Sequence, residues 1–269
     1  MRVYIHFIKN SMERLLIYRA DMWFKLIGRL IYLYVQIVTW KAIYGGTSVV
    51  KTSSGDVPIE QMISYLVLSS VLYSLIEFDT VQLINDKIRS GEIAIDIMRP
   101  FNFMMYAFCD GFGQNIVNFL FESVPIIIVV SLFMDINITF SITSILFIVS
   151  VLCSMLINFQ LAFFMGILAF WFLVTWPLNM LVQGISKIFS GVWIPVGFFQ
   201  DSIKSIGEIL PFQYIYFTPI SLYTQNLGLE DGSQLILHQV YWIVGLFILT
   251  TALWKIGVKK LVVQGGEVV

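Results

Sequence analysis

The sequence predicts an all-α, polytopic membrane protein with six transmembrane helices, an N-terminal interfacial (elbow) helix and re-entrant outer helices before the last span. Three observations predict it. Apolar residues make up 58% of the chain and charged residues only 12%, against about 25% charged in an ordinary soluble domain. Long runs free of charge recur along the 269 residues, and crossing a hydrocarbon core about 30 Å thick takes roughly 20 such residues. Lys and Arg gather between alternate runs, the distribution that the positive-inside rule gives to cytoplasmic segments. Residues 1–269 therefore read as a single transmembrane domain, with little length left for a soluble one. The net charge of −1 carries no basic bias toward nucleic acid.

Residues 1–17 wind as an amphipathic helix. Met1, Tyr4, Ile5, Ile8, Met12, Leu15 and Leu16 gather on one side and Arg2, His6, Lys9, Asn10 and Glu13 on the other, although Val3 and Phe7 fit this division poorly. A basic amphipathic helix directly before a span lies in the membrane interface. Its charges also interrupt any apolar core that a signal peptide would need. The first span covers residues 22–44, with Lys25, Arg29 and Lys41 placed to snorkel toward headgroups. "GGTSVVKTSSGD", residues 45–56, is a turn-rich loop. The second span covers residues 59–78, the charged segment residues 79–99, and the third span residues 103–133.

Residues 136–186 contain no charge at all, and 51 residues are too many for one crossing. They form a hairpin of two spans, residues 141–170 and 177–194, turning near "FWFLVTWPLN", where Trp171 and Trp176 suit a headgroup belt and Pro177 opens a new helix. Residues 195–233 are apolar but punctuated by Pro195, Gly197, Gly207, Pro211, Pro219 and Gly228, which excludes a straight crossing. Re-entrant or interfacial helices follow, because irregular backbone at membrane depth survives only under a cover of protein or water. The sixth span covers residues 235–253. Eleven basic residues (2, 9, 14, 19, 25, 87, 89, 99, 255, 259 and 260) share one side, against Lys51 and Lys204 on the other. Both termini and the charged segment then face the cytoplasm.

Within that segment, residues 84–100 carry the pattern that matters most. Ser90 is a cap for a short helix from Gly91 to Met98, and Pro100 ends it by keeping Arg99 out of helical geometry. The alternation Glu92-Ile93-Ala94-Ile95-Asp96-Ile97 equally reads as a strand, and a plain solvated loop is the bland reading. "SGEIAIDIMRPF" resembles the type-2 ATP-binding-cassette exporter permeases, in which a glycine, an acidic residue and apolar positions lead to a proline before the third span: here Gly91, Glu92, Ile93, Ile97 and Pro100. "FSGVWIPVGFF" (189–199) and "LPFQYIYFTPISLY" (210–223) are similar to the signature after the fifth span in one branch of that superfamily. The resemblance extends over nearly the whole chain, on short and degenerate motifs.

The resemblance implies a permease subunit that forms half of a translocation pathway in the cell membrane, of bacterial plasma-membrane type. Its implied partners are a second permease, identical or related, and a cytoplasmic ATPase dimer that binds ATP and Mg. The chain itself has no G-x-x-x-x-G-K-[ST] loop to cradle phosphates, so catalysis and cofactors are expected in the partner. Ser90, Gly91, Glu92, Ile93, Asp96, Ile97, Arg99 and Pro100 become the expected ATPase-coupling residues, with Ile93 and Ile97 filling an apolar groove and Glu92, Asp96 and Arg99 supplying polar contacts.

Other candidates follow from burial of charge. Glu122 and Lys187 lie inside the third and fifth spans, where an isolated charge costs about 2.5–3.5 kcal/mol. They are expected to pair with each other or with a partner chain, either beside the pathway or as a structural pair. Trp193, Pro195, Phe198, Phe199, Pro211, Phe212 and Tyr216 are outer-gate candidates, or else an interfacial belt. Glu77 and Asp79 read as a helix-end cluster, His6 and His238 stand alone rather than as metal ligands, and Cys109 and Cys153 read as buried thiols. Ala162 and Gly166 form a small-xxx-small pair, and Asn137-Ile138-Thr139 matches a glycosylation sequon. An ion-coupled secondary transporter is the competing function. It calls for internal repeats, which the chain lacks, and for midplane charges, of which only Glu122 and Lys187 qualify. A membrane-embedded enzyme has no clustered His, Cys or carboxylates to rest on.

Overall fold

The computed structural model describes residues 2–17, 19–52, 55–132, 142–172, 174–224 and 228–261. The sequon at residues 137–139 falls outside them.

Helix α1 (Arg2–Ile17) is followed by α2 (Arg19–Tyr44). The inward side of α1 is Ser11, which is buried, with Tyr4, Phe7, Ile8, Met12 and Leu15 half-buried around it; it takes in Phe7 and leaves Ile5 and Leu16 exposed. Phe7, the apparent misfit, meets Phe101 and Tyr106 edge to face at 5.4 and 4.9 Å. Its partners come from a segment almost a hundred residues away, which no local periodicity registers. Between α2 and the next helix, the expected loop holds a small antiparallel hairpin, β1 (Val49–Thr52) and β2 (Gly55–Pro58), paired Val49 to Pro58 and Thr52 to Gly55. β-Branched residues in "VVKT" favour the strand, and Tyr44 fastens it by donating to Val57 O at 3.1 Å.

Helix α3 (Ile59–Ile76) breaks at Glu77–Asp79 before α4 (Thr80–Ser90). The break has its hydrogen bonds supplied by amide side chains: Phe78 N donates to Asn158 Oδ1 at 3.1 Å, and Asn115 Nδ2 donates to Leu75 O at 2.9 Å. Helix α5 (Glu92–Met98) leads to α6 (Phe103–Asn118), whose Asn102 cap accepts from Met105 N. A π-helical turn, Phe119–Ser123, joins α6 to α7 (Val124–Ser131). Pro125 accounts for it, since proline has no N–H to give and crowds the carbonyl four residues back.

Helix α8 (Ile142–Ile167) ends in a 3-10 turn at Leu168–Phe170 and is followed by α9 (Trp176–Phe189). Five helical runs are long and apolar enough to cross a membrane: Ala20–Tyr44, Ile59–Ser90, Phe103–Ser131, Ser144–Phe170 and Leu229–Val258. The predicted fifth span is not among them, because α9 has 14 residues, about 21 Å at about 1.5 Å per residue. It stops where Gly191 takes φ +85°. A Cβ there would lie 2.6 Å from the hydroxyl of Tyr65, which donates to Gly191 O at 2.9 Å. Both the turn and the close approach need glycine.

Residues 195–224 fold as short pieces: a 3-10 turn at Val196–Phe198, α10 (Asp201–Ile209), a second 3-10 turn at Pro211–Tyr214, and α11 (Phe217–Thr224), ahead of α12 (Leu229–Val258). Its irregular backbone is paired by neighbours. Ser154 Oγ and Gln239 Nε2 both donate to Tyr214 O, at 2.9 and 2.8 Å, and Phe217 N donates to Ser190 O at 2.9 Å. The core unites α3, α4, α6, α8 and α12 around Phe78, Phe103, Phe159, Phe163 and Trp254, with Phe103 stacked on Trp254 at 5.0 Å. Gly166 lets α8 meet α4, since a Cβ there would lie 2.8 Å from Ile84; this gives the small-residue pair its packing role. By contrast, α2 exposes Trp23, Phe24, Ile27, Ile31 and Val35, the apolar face a lipid-exposed helix presents.

Candidate functional site

Two places concentrate the polar chemistry. The first is a knob made by α4, α5 and the turn to α6. Gly91, at φ +78°, closes α4 and opens α5 in one residue. The N-cap position of α5 falls on Gly91 rather than on the expected Ser90, which ends α4 and only accepts from Glu92 N at 3.4 Å through its Oγ, and the helix begins at Glu92. Residues 92–97 are helical rather than extended, and Arg99 takes φ −79°, ψ 149°, the geometry that Pro100 imposes. Two expected docking residues turn inward. Ile93 is 0% exposed and belongs to the main core, and Asp96 is buried, receiving Lys87 Nζ and, at 3.2 Å, Arg99 Nη1. The seven-residue helix turns one side to the core, and residues 93 and 96, three apart, fall on it. What the knob offers outward is Ile95, Ile97 and Met98, with Glu92 and Arg99 at its ends. An apolar surface on a helix clamped by a buried ion pair is suited to docking.

The second place is a polar cavity of about 630 Å³ walled by α2, α3, α6 with its π turn, and α9. The expected Glu122–Lys187 pair does not form. Glu122 instead accepts from Arg29 Nη2 at 3.2 Å, with side chains 7% and 20% exposed. Arg29 was expected to snorkel; its guanidinium lies 4.1 Å from the centre of the Tyr73 ring. Lys187 lies over the same ring at 5.9 Å and forms no ion pair among the described residues. Glu122 and Lys187 thus face one cavity without touching, because the π turn aims Glu122 at α2 while α9 carries Lys187 along the opposite wall. The wall between them carries Ser69, Ser70 and Ser74, and Ser70 Oγ is buried there with no hydrogen-bond partner among the described residues. Arg29 was legible in principle, as a second charge deep within an apolar helix that needs an opposite partner of equal depth.

The outer-gate candidates are dispersed. Trp193 is 41% exposed and lines the cavity; Phe198 packs on Trp40 at 4.8 Å, and Phe199 on Phe189 at 6.2 Å. Pro195 and Pro211 are buried and Phe212 packs against the core. Tyr216 is 2% exposed, and its hydroxyl donates to Glu77 Oε2 at 3.0 Å at the α3–α4 break. No group of three or more metal-ligating side chains exists among the described residues, and both cysteines are free and buried.

A family model described as ABC-2 family transporter protein matches residues 30–265. Among curated proteins nothing matches the chain.

Proposed function

The chain belongs to the ABC-2 family of transporter proteins, and from that premise we propose that it is the permease subunit of an exporter, forming half of a translocation pathway driven by ATP hydrolysed elsewhere. Hydrolysis, with its ATP and Mg, is assigned to a separate cytoplasmic ATPase dimer, and the other half of the pathway to a second permease, identical or related. One observation carries this reading: Ile95, Ile97 and Met98 are presented on a short helix held rigid by Asp96, Lys87 and Arg99. A soluble motor needs such a knob, since conformational change passes through packed contacts between bistable elements. The polar cavity with Arg29, Glu122 and Lys187 is the proposed pathway wall.

In this reading both termini and α5 face the cytoplasm of a bacterial-type plasma membrane, and α1 lies along its inner headgroups. A sixth crossing is completed by α9 and the following irregular segment, 190–199. That segment is tolerated at depth because Tyr65 and Ser69 donate to the carbonyls of Gly191 and Val192. Cysteine placed at Lys204 or at Glu230 is expected to react with a membrane-impermeant maleimide from outside, and cysteine at Ser90 only after permeabilisation. Labelling of the first two from opposite sides would remove the sixth crossing. For the function, vesicles carrying the chain and its cognate ATPase are expected to hydrolyse ATP several-fold faster than the ATPase alone. Transport driven by an ion gradient without ATPase would instead make it a secondary transporter.

A further inference from the structure

A second cavity, of about 210 Å³, lies between α1, the knob and the first turns of α6. That is room for several waters or one compact polar group. Its walls carry three cations, Arg14, Lys87 and Arg99, against two carboxylates, Asp96 and Asp110.

The carboxylates are buried and saturated. Asp110 takes Arg14 Nη2 on both oxygens at 2.9 Å and Gln114 at 2.8 Å, while Asp96 takes Lys87 and Arg99. The arginines are not saturated. Arg14 uses Nη2 alone and Arg99 uses Nη1 alone, and their side chains remain 49% and 59% exposed. Among the described residues, the other guanidinium N–H groups have no acceptor. An excess of one positive charge with planar donors to spare is the chemistry that recognises a phosphate.

Its depth names the source of that phosphate. The run Phe103–Ser131 has 29 residues, about 44 Å at about 1.5 Å each, so a hydrocarbon core of about 30 Å leaves roughly nine residues outside. Taken at the Phe103 end, the cytoplasmic end in the proposed topology, those nine residues include Asp110 and place it and its cations at headgroup level. Tyr4, which accepts from Asn102 N at 3.2 Å, and Phe7 on Phe101 tie α1 to the turn after α5.

We infer that this cavity binds the phosphate of an anionic phospholipid headgroup, clamped by Arg14 and Arg99 between the interfacial helix and the knob. The inference rests on α1 lying along the headgroups, and on no property of the ATPase. A lipid held there would brace α5 through Arg99, making the knob's position dependent on membrane composition.

Native mass spectrometry of the purified full chain, with no ATPase present, tests it with three probes: phosphatidylglycerol, phosphatidylcholine and inorganic phosphate. Phosphatidylglycerol is expected to be retained in preference to phosphatidylcholine. Arg99→Gln should weaken its retention about fivefold, the contribution of one basic side chain at an anionic surface. Asn10→Asp, which adds a negative charge on the exposed cavity rim, should weaken it similarly even if Arg99→Gln folds poorly. Lys259→Gln, at the C-terminal end of α12 and outside the cavity's lining, should leave it unchanged. Equal retention of the two lipids, or equal losses in Arg99→Gln and Lys259→Gln, would overturn the assignment. So would inorganic phosphate binding that phosphatidylglycerol does not displace, which would make this a site for a soluble anion.

Discussion

Replacing Ile97 and Met98 together with aspartate is expected to leave the chain folded and strip it of its ATPase. Met98 is 78% exposed and Ile97 37%, and neither belongs to a core cluster, so most of their loss falls on whatever docks there. A central apolar contact at an interface contributes about 2 kcal/mol or more, which at 1.4 kcal/mol per tenfold lowers association at least about 30-fold. Co-purification and permease-stimulated hydrolysis should fall together while gel-filtration behaviour and helical content stay as in the parent chain. Ile93→Asp makes the contrast. An unpaired charge at a fully buried position costs several kcal/mol, so this variant should lose folded protein rather than coupling alone. Full hydrolysis in well-folded Ile97→Asp/Met98→Asp would move the motor's grip elsewhere, and α1 is the next surface to test.

The largest effect on stability is expected at Arg29 and Glu122. Removing one partner of a buried ion pair costs about 3–5 kcal/mol because the other charge is left uncompensated. Arg29 keeps a fifth of its side chain open, which places the loss toward the lower figure. Glu122→Gln strands the guanidinium above Tyr73, and Arg29→Met strands the carboxylate at the π turn. Either should lower the thermal midpoint in detergent by several degrees, and Arg29→Met/Glu122→Leu should recover much of the loss. Additive losses in that double-mutant cycle would dissolve the pair. Lys187→Met should change stability little, since Lys187 holds no carboxylate among the described residues.

The sequence displays most of what composition and local punctuation control. The long apolar runs became helices, Pro100 and Gly91 bounded α5, and the prolines of residues 195–233 broke the outer region into short helices. What stayed hidden depends on contacts between distant segments. Ile93 and Ile97 share a helical spacing, yet only the packing of α5 on α4 decides that the first is core and the second surface. Glu122 and Lys187 were visible as deep charges, but the choice of Arg29 as partner follows from a π turn that Pro125 induces in another helix. Fourteen residues of α9 looked like part of a full crossing because composition does not register where a glycine bends the chain against Tyr65.

The hydrogen bond from Tyr216 to Glu77 joins the deepest point of the outer region to the joint between α3 and α4. If α4 swings about that joint, it must either drag Tyr216 along or release it. A typical intramolecular hydrogen bond contributes about 0.5–1.5 kcal/mol net, a bias of about two- to tenfold between two states. In such a swing the link would act as a light clutch, firm enough to couple α4 to the segment around Tyr216 and weak enough to slip when either is pushed, with Phe78 and its Asn158 tether beside it as the hinge pin.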